Sequence, residues 1–279
     1  MIEQQNHKMY GYLRSNKKFP SVWCPGCGIG IVMAAIVRAV DGLGLNKDDV
    51  AMVSGIGCSG RMPVYVDFNT LHTTHGRALA FATGLKLAKP KMHMIVVMGD
   101  GDALAIGGNH FIHAARRNID LTAIVINNQV YGMTGGQVSP TTPSGALATT
   151  ATYGNIEKPF DIATIATACG ASFVARSTAY HALELEKLVA KAIQKKGFSV
   201  VEAISHCHTA YGRLNKMGSA VEMMKWQRDS TISLAAAERS GDQGKITRGV
   251  LVDREQPEFV EQYQKLIERA QRVNDPVAG

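Results

Sequence analysis

The sequence predicts an α/β protein in which helices cover both faces of a parallel sheet. Apolar runs of strand length alternate with amphipathic stretches along most of the chain. This alternation is typical of parallel strands joined by crossover helices. Glycine-rich and cysteine-bearing loops follow several of the runs. Because ligands in this architecture bind at the carboxyl ends of the strands, we expect a binding site at that edge of the sheet.

The individual elements follow from where the apolar runs begin and end. In chain order they are helix 29–40, strand 50–54, helix 77–88, strand 94–98, helix 109–117, strand 121–127, helix 161–168, strand 172–175, helix 181–195 and strand 198–204. A long loop rich in glycine and threonine precedes helix 161–168. Residues 210–279 are predicted to lack strands, and 255–272 to form one polar amphipathic helix, an arm over the site or over a partner. The chain contains no internal repeat.

Length and composition favour one large domain over two. The chain has 279 residues, of which 46% are hydrophobic and 19% charged, values typical of a globular protein. Its net charge of +7 is dispersed, without a basic stripe interleaved with aromatic residues. An acidic electron carrier or an anionic substrate is therefore favoured over nucleic acid, and a merely solvated basic surface is the alternative.

No membrane or export signal is evident in the sequence. No apolar run reaches membrane-spanning length, and residues 1–9 carry no signal-peptide core. We therefore expect no membrane partner and a cytoplasmic, reducing location.

Two acidic and amide motifs follow neighbouring apolar runs. Residues 99–102 read Gly-Asp-Gly-Asp, and 127–131 read Asn-Asn-Gln-Val-Tyr. Mg²⁺ takes six oxygen ligands and commonly bridges phosphates through one or two carboxylates. Asp100 offers a carboxylate, Asn128 an amide oxygen and Val130 a backbone carbonyl. A Gly-Asp-Gly turn alone is common, but with the asparagine pair at this spacing it resembles the signature that binds thiamine diphosphate through Mg²⁺.

Four of the five cysteines fall in predicted loops. Cys24 and Cys27 form a CxxC motif, while Cys58 and Cys207 each follow a predicted strand. Glycines around Cys58 allow the backbone to approach a bulky inorganic group. Cys169 differs because it ends a predicted apolar helix, and we expect it to be a small buried hydrophobe.

Three interpretations of the four loop cysteines stay open from the residues alone. A thioredoxin-like redox pair needs a strand upstream and has no use for Cys58 or Cys207. A zinc site could also use His206 or His208, but the two closely spaced pairs of structural zinc sites are missing. Four thiolates holding a 4Fe-4S cluster is the third interpretation. The number of cysteines does not choose among them.

A GxGxxG pattern at Gly55, Gly57 and Gly60 invites a different interpretation, a dinucleotide site and hence an NAD-dependent dehydrogenase. Pro63 hinders a regular helix directly after the pattern. No acidic residue lies at the expected distance of about twenty residues. We therefore treat this function as a remote alternative. A zinc-binding structural protein is equally remote, because it leaves the motifs from 99 to 128 unexplained.

Taken together, the motifs resemble the thiamine-diphosphate-binding β subunits of 2-oxoacid:ferredoxin oxidoreductases. Five segments match that family in order, namely 23–28, 54–60, 75–84, 99–102 and 131–140. The resemblance spans roughly residues 20–210. It implies the thiamine-diphosphate-binding (PP-type) fold with a C-terminal helical arm. It also implies a domain at 1–205 with an N-terminal cluster-binding segment, and an extension at 206–279 that carries the last cluster cysteine.

The resemblance also implies a set of site residues. The 4Fe-4S ligands would be Cys24, Cys27, Cys58 and Cys207, and the Mg²⁺ ligands Asp100, Asn128 and Val130. The cofactor-binding residues would be Gly28, Gly57, Cys58, Ser59, His75, Gly99, Asp100, Gly101, Asp102, Asn128, Val130, Gly132, Met133 and Thr134. His75 is expected near the diphosphate or the substrate, and the Arg61 guanidinium suits a substrate carboxylate. A surface histidine and a surface salt bridge are the respective alternatives.

The implied reaction is the oxidative decarboxylation of a 2-oxo acid. Electrons would pass one at a time through the cluster to ferredoxin, and coenzyme A would take the acyl group. The loop 131–143 is most similar to the 2-oxoglutarate members, so succinyl-CoA is the expected product, with pyruvate or a branched-chain oxo acid as alternative substrates. No glutamate here matches the one that faces the pyrimidine ring of the cofactor. The resemblance therefore implies an α subunit that supplies it, in a dimer of αβ heterodimers.

Overall fold

A computed structural model describes residues 8–16, 20–242 and 244–273, so most of the segment 1–9, expected to lack a signal peptide, lies outside the described residues. Within these residues the strands are β1 (Val50–Ser54), β2 (Asn69–His72), β3 (His93–Gly99), β4 (Thr122–Asn127), β5 (Phe173–Thr178), β6 (Ser199–Ile204), β7 (Thr231–Ser233) and β8 (Ile246–Asp253). The sequence analysis places five of these strands to within about three residues and misses β2, a short strand with no buried residue.

Helices connect most of these strands. They are α1 (Ile29–Gly42), α2 (Ala78–Ala88), α3 (Asp100–Leu104), α4 (Gly108–Arg117), α5 (Ile162–Ala168), α6 (Ala182–Gln194), α7 (Ala220–Asp229), α8 (Leu234–Ser240) and α9 (Phe259–Val273). Short 3₁₀ helices at Lys8–Tyr12, Lys47–Asp49 and Ser59–Val64 and a π-helical turn at His208–Gly212 complete the described elements. None of the described helices is both long and apolar enough to cross a bilayer.

All the strands belong to one sheet in the order β2-β1-β3-β4-β6-β5-β8-β7. The six strands from β2 to β5 in that order are mutually parallel. In register, Gly99 lies beside Ile126, and Asn127 beside Ile204. The loops that leave β1, β3, β4 and β6 therefore emerge at one edge of the sheet, where the predicted site residues follow.

Alternate residues of each strand pack against helices on opposite faces. On one face α1 and α6 cover residues such as Val97 and Val201. On the other face α2, α4 and α5 cover residues such as Val96 and Val200. Burial on both faces explains why central strands such as β1, β3 and β4 are largely apolar. The predicted α/β architecture with helices on both faces is confirmed.

The expectation that residues 210–279 lack strands is wrong. β8 pairs antiparallel with β5, with a register irregularity at Val174 and Ala175, and β7 runs parallel to β8. Seven of the eight β8 residues are only half-buried, and Gly249 has a φ of 122°. An outer strand of this kind has neither a continuous apolar run nor a clear alternation, so the pattern does not reveal it.

The C-terminal arm also differs from its predicted position. α9 begins at Phe259, after Pro257, rather than at residue 255. The Phe259 amide donates to the Asn118 carbonyl at 3.3 Å, and the Glu258 carboxylate accepts from the Asp120 amide at 2.9 Å. Because Asn118 and Asp120 precede β4, the arm is anchored at the amino ends of the strands. It does not lie over the cysteine loops.

Candidate functional site

A cleft of about 150 Å³ opens at the carboxyl ends of β1, β3 and β4. The predicted site residues that line it are Gly57, Cys58, Ser59, His75, Gly99, Asp100, Gly101, Asp102, Asn128, Val130, Gly132, Met133 and Thr134. Ile29, Ile56, Ile126 and Tyr131 also line it and were not singled out by the sequence. Gly28 and Arg61 do not line the cleft. Gly28 lies where a Cβ would clash with Ser205, and Arg61 is exposed.

Asp100 occupies the first turn after β3 and is 3% exposed. Its Oδ2 accepts hydrogen bonds from the Ser139 hydroxyl at 2.6 Å and the Thr141 hydroxyl at 2.5 Å. Burial nevertheless raises the pKa of this carboxyl, and the two hydroxyls offset the rise only in part. A cation beside the carboxylate would remove that penalty. The environment of Asp100 therefore fits a divalent metal ion with oxygen ligands.

The two asparagines at the end of β4 have different surroundings. Asn127 is buried and donates from its amide to Glu202 at 2.8 Å. Asn128 and Val130 line the cleft. Gln129 between them adopts a left-handed conformation, with a φ of 63°, which is uncommon outside glycine and often marks a functional turn. The turn brings Asn128 and Val130 to the cleft beside Asp100.

His75 and Asp102 form a second polar pair in the cleft. The Nδ1 atom of His75 lies 2.6 Å from Asp102 Oδ1, and the Gly76 amide donates to the same oxygen at 2.6 Å. Burial raises the pKa of Asp102, while the Gly76 amide and His75 act in the opposite direction. The second oxygen of Asp102 is buried and has no hydrogen-bond partner within the described part of the chain. Because Nδ1 is engaged, Nε2 is the ring nitrogen of His75 left for a ligand.

The glycines of the two motifs are explained by close packing. A Cβ on Gly101 would lie 2.1 Å from the Tyr131 ring, and one on Gly55 would lie 2.0 Å from Asp102 Oδ2. A Cβ on Gly60 would lie 2.3 Å from the Gly55 carbonyl oxygen. The segment after the GxGxxG pattern is a 3₁₀ helix that contains Pro63. The expectation that no regular helix starts there is confirmed. Gly55 and Gly60 serve close packing, whereas Gly57 lines the cleft and has a φ of 110°.

The four loop cysteines meet beside the cleft. Cys58 lines it, and the Sγ of Cys207 lies 3.1 Å from where a Cβ on Gly132, another cleft residue, would be. Cys24 and Cys207 both lie 3.7 Å, sulfur to oxygen, from the Thr209 hydroxyl. These contacts place the cysteines close together beside the cleft.

The pKa shifts of Cys27 and Cys58 also indicate that the four cysteines lie close together. The pKa of Cys27 is raised to about 11, mainly by burial and also by the nearby Cys207, Cys58 and Cys24, while a backbone hydrogen bond from Ile29 acts in the opposite direction. Burial is also the main reason why the pKa of Cys58 is raised, with Cys207 and Cys24 contributing. Thiols with such pKa values stay neutral at pH 7. Bound metal reverses this, because a coordinating thiol is deprotonated by the charge of the ion.

Two histidines next to Cys207 bear on the zinc interpretation. Among the residues that the structure describes, no three histidine, cysteine, aspartate or glutamate side chains are placed to hold one metal ion. Both ring nitrogens of His206 are already used, because Nε2 lies 2.7 Å from the Gly26 carbonyl and Nδ1 accepts from Gln227 at 3.2 Å. His206 is therefore engaged in hydrogen bonds, whereas Nδ1 of His208 is buried and has no hydrogen-bond partner among the described residues. Cys169 packs elsewhere, half-buried against the core beside α5.

A larger cleft, of about 860 Å³, lies at the amino ends of the strands. Several of its charged side chains are paired, including Lys86 with Asp120 at 2.6 Å and Lys196 with Glu261 at 3.3 Å. It contains none of the predicted site residues. The smaller cleft at the carboxyl ends is therefore the better candidate.

Comparison with known proteins indicates a thiamine-dependent enzyme. The profile of the family "Thiamine pyrophosphate enzyme, C-terminal TPP binding domain" matches residues 50–203. The chain is 50% identical over 266 residues to the 2-oxoglutarate synthase subunit KorB of Methanocaldococcus jannaschii, a match that covers 94% of this chain and 98% of that one. It is 62% identical over 198 residues to the KorB subunit of Archaeoglobus fulgidus, covering 71% and 73% of the two chains.

A solved structure agrees with these relatives. The 2-oxoglutarate:ferredoxin oxidoreductase from Magnetococcus marinus, with 2-oxoglutarate, coenzyme A and succinyl-CoA bound, matches with a TM-score of 0.85 and 33% identity, covering 97% of this chain and 93% of that chain. The resemblance drawn from the five motifs is thereby confirmed. The chain belongs to the thiamine pyrophosphate enzymes and, among them, to the family of the 2-oxoglutarate synthase KorB subunits.

Proposed function

We propose that this chain is the β subunit of a 2-oxoglutarate:ferredoxin oxidoreductase, which converts 2-oxoglutarate and coenzyme A into succinyl-CoA and CO₂. The observation that carries the proposal is the contact between two sites. Asp100, Asn128 and Val130 line the same cleft as Cys58, and Cys207 packs against Gly132 of that cleft. The proposed sites for thiamine diphosphate and for an iron-sulfur cluster thus adjoin each other on one chain.

The cleft residues would hold the organic cofactor through a metal ion. The Asp100 carboxylate, the Asn128 amide oxygen and the Val130 carbonyl would bind Mg²⁺, which suits oxygen ligands and a diphosphate. Thiamine diphosphate supplies the carbanion chemistry of decarboxylation when it is bound. Asp102 holds His75 by its Nδ1 atom, so that Nε2 can contact the diphosphate or the substrate. The remaining predicted cofactor residues, Gly57, Ser59, Gly99, Gly101, Gly132, Met133 and Thr134, complete this wall of the cleft.

The cysteines would hold a 4Fe-4S cluster through four thiolates. Cys27, Cys58 and Cys207 are partly buried, whereas Cys24 is exposed. Electrons would therefore enter on the Cys58 side, next to the cleft, and leave near Cys24 toward ferredoxin. The net charge of +7 suits an acidic carrier. A cytoplasmic location keeps such thiols reduced.

A second subunit would complete the active site. The cleft of about 150 Å³ is smaller than the usual pocket of about 300–1,000 Å³. Among the described residues that line it there is no glutamate, so an α subunit would supply the carboxyl group that faces the pyrimidine ring. Tyr153 and Ile156 are almost fully exposed, which supports a partner surface on their loop. We propose a dimer of αβ heterodimers.

The substrate assignment rests on the relatives and on the loop 131–143. Arg61 follows the cluster loop and lies close enough to Cys58 for its charge to lower the pKa of that thiol. From this exposed position its guanidinium would bind a carboxylate of the substrate. The same chemistry on pyruvate or on a branched-chain oxo acid is the alternative.

Anaerobic co-expression with the α subunit encoded in the same host tests the proposal. We expect the purified complex to contain thiamine diphosphate, with about four iron and four sulfide ions for each β chain, and to reduce viologen only when 2-oxoglutarate and coenzyme A are both present. A colourless complex, or preferential turnover of pyruvate, would contradict the cluster or the substrate assignment respectively.

A further inference from the structure

A buried chain of polar side chains reaches Asp100 from the side away from the cleft. Arg176 donates from Nε to Glu202 Oε2 at 2.7 Å, and Asn127 donates to Glu202 Oε1 at 2.8 Å. The side-chain amide oxygen of Asn127, Oδ1, then lies 3.0 Å from the Thr141 hydroxyl, which lies 2.5 Å from Asp100 Oδ2. The chain therefore links a guanidinium on β5 to the proposed metal ligand after β3.

The donors and acceptors fix the orientation of Asn127, whereas the Thr141 hydroxyl has one proton for its two acceptors, Asn127 Oδ1 and Asp100 Oδ2. Glu202, paired with Arg176, accepts on both oxygens, so the amide nitrogen of Asn127 must face it. The amide oxygen of Asn127 consequently faces Thr141. The Thr141 hydroxyl therefore lies between two oxygens, Asn127 Oδ1 and Asp100 Oδ2.

Stability alone is a poor explanation for the ion pair at the far end. The side chains of Arg176 and Glu202 are only 8% and 4% exposed. A buried ion pair is often no better for stability than apolar residues of the same volume. Arg176 is further held by Asp161, which also caps α5 through the Thr164 amide. The pair is thus rigidly placed, as a group that orients its neighbours should be.

Resting on the proposed function, we propose that Arg176, Glu202 and Asn127 are positioning residues for the metal site. They hold Thr141 so that its hydroxyl, together with that of Ser139, occupies Asp100 Oδ2, which leaves Oδ1 to the cation. None of the three touches the metal or the cofactor. Their loss should therefore weaken Mg²⁺ binding while the ligands stay in place.

Two variants interrupt the chain at different links. Asn127→Leu has nearly the same shape and removes the link between Glu202 and Thr141. The double variant Arg176→Met with Glu202→Leu removes both charges together, so that neither is left buried alone. As a matched control, Lys86→Met breaks a similarly buried ion pair, with Asp120, at the opposite end of the sheet. A further variant, Thr141→Val, removes the hydroxyl that links Asn127 to Asp100.

The readout is the Mg²⁺ concentration that gives half-maximal retention of thiamine diphosphate by the assembled αβ complex, measured by fluorescence after acid release, with thermal melting of each variant alongside. We expect Asn127→Leu, the double variant and Thr141→Val each to need at least about tenfold more Mg²⁺, as outer-shell changes typically do. Lys86→Met should melt earlier but bind Mg²⁺ as the parent does.

If the parent retains thiamine diphosphate with Mg²⁺ and both Asn127→Leu and the double variant show the same Mg²⁺ dependence, the inference is overturned while the proposed function stands. An equal loss in Lys86→Met would also overturn it, because general destabilisation would then explain the effect. If the parent complex binds no thiamine diphosphate with Mg²⁺, the proposed function fails and the inference fails with it.

Discussion

Gly132 and Cys207 are packed so closely that a Cβ on the glycine would lie 3.1 Å from the cysteine sulfur. Gly132 belongs to the cleft that follows β4, whereas Cys207 belongs to the loop that follows β6. Because β4 and β6 are neighbours and parallel, their loops meet at the carboxyl edge. The proposed cofactor site and the proposed cluster site are therefore separated by little more than one glycine.

The first prediction concerns the cluster ligands. Cys207→Ser should bleach or destabilise the cluster, because a hydroxyl replaces one of four thiolates. Cys169→Ser is the matched control, since this cysteine packs against the core beside α5. Iron and sulfide analysis of anaerobically prepared protein distinguishes the two variants. Equal iron loss in both would refute the ligand assignment.

The second prediction concerns the carboxylate of Asp100. Asp100→Ala should abolish retention of thiamine diphosphate in the presence of Mg²⁺ and leave the fold and the cluster intact. Removal of one ligand weakens a site that tolerates few departures from octahedral geometry. Thiamine released by acid measures the loss, and iron content is the internal control. Normal occupancy in the variant would show that Asp100 is not a ligand.

The same side chain predicts a pH-dependent stability difference. Burial raises the pKa of Asp100 above its ordinary value of 3.8 in the folded protein. Its neutral form stabilises the metal-free fold below that value, and this contribution is lost as the pH rises through the raised pKa. The Asp100→Asn variant, always neutral, should therefore melt at a higher temperature than the metal-free parent, by a margin that opens above about pH 3.8 and then levels off. A margin independent of pH would contradict the shift.

A fourth prediction concerns the turn between the two cysteines of the CxxC motif. His206 Nε2 lies 2.7 Å from the Gly26 carbonyl, and Gly26 has a φ of 88°. His206→Leu removes this contact and should make the cluster more labile to oxygen. His206→Gln keeps a donor at a similar reach and should restore most of its lifetime. Decay of visible absorbance in air measures the effect, and equal lifetimes in the two variants would argue against an anchoring role.

A fifth prediction concerns substrate binding by Arg61. If its guanidinium holds a carboxylate, Arg61→Met should raise the KM for 2-oxoglutarate by roughly 10- to 150-fold, because a hydrogen bond to a charged group contributes roughly 1.5–3 kcal/mol. Retention of thiamine diphosphate should stay at the parent level. The exposed position of Arg61 makes this a direct test, and an unchanged KM would remove Arg61 from the substrate site.

Most of the predicted site residues line one cleft because their signals are local in the sequence. The residues from Gly99 to Asp102, Cys58 and Cys207 are recognisable by residue type and by their position after a strand. Ser139 and Thr141, which hold Asp100, come from a long loop whose path the pattern does not specify. Glu202 lies within an apolar strand, and only the fold shows that it meets Asn127.

The C-terminal region was harder to predict for a different reason. The amphipathic pattern of α9 indicates a helix with one packed face, but not which end of the sheet it packs against. That choice depends on single contacts, such as the Glu258 carboxylate with the Asp120 amide. The half-buried residues of β8 likewise gain their strand conformation from pairing with β5, which lies far away in sequence.

The most direct test of the central claim uses the assembled, anaerobic αβ complex and follows the visible absorbance of the cluster after rapid mixing with 2-oxoglutarate in the absence of any external acceptor. We expect the parent complex to show substrate-dependent bleaching, and the Asp100→Ala complex, with its full iron content, to show none. The isolated chain should also show none, because half of the cofactor site is missing. Bleaching by the isolated chain or by the Asp100→Ala complex, or no bleaching in a parent complex that holds both cofactors, would contradict the claim that electrons pass from this cleft to these four cysteines.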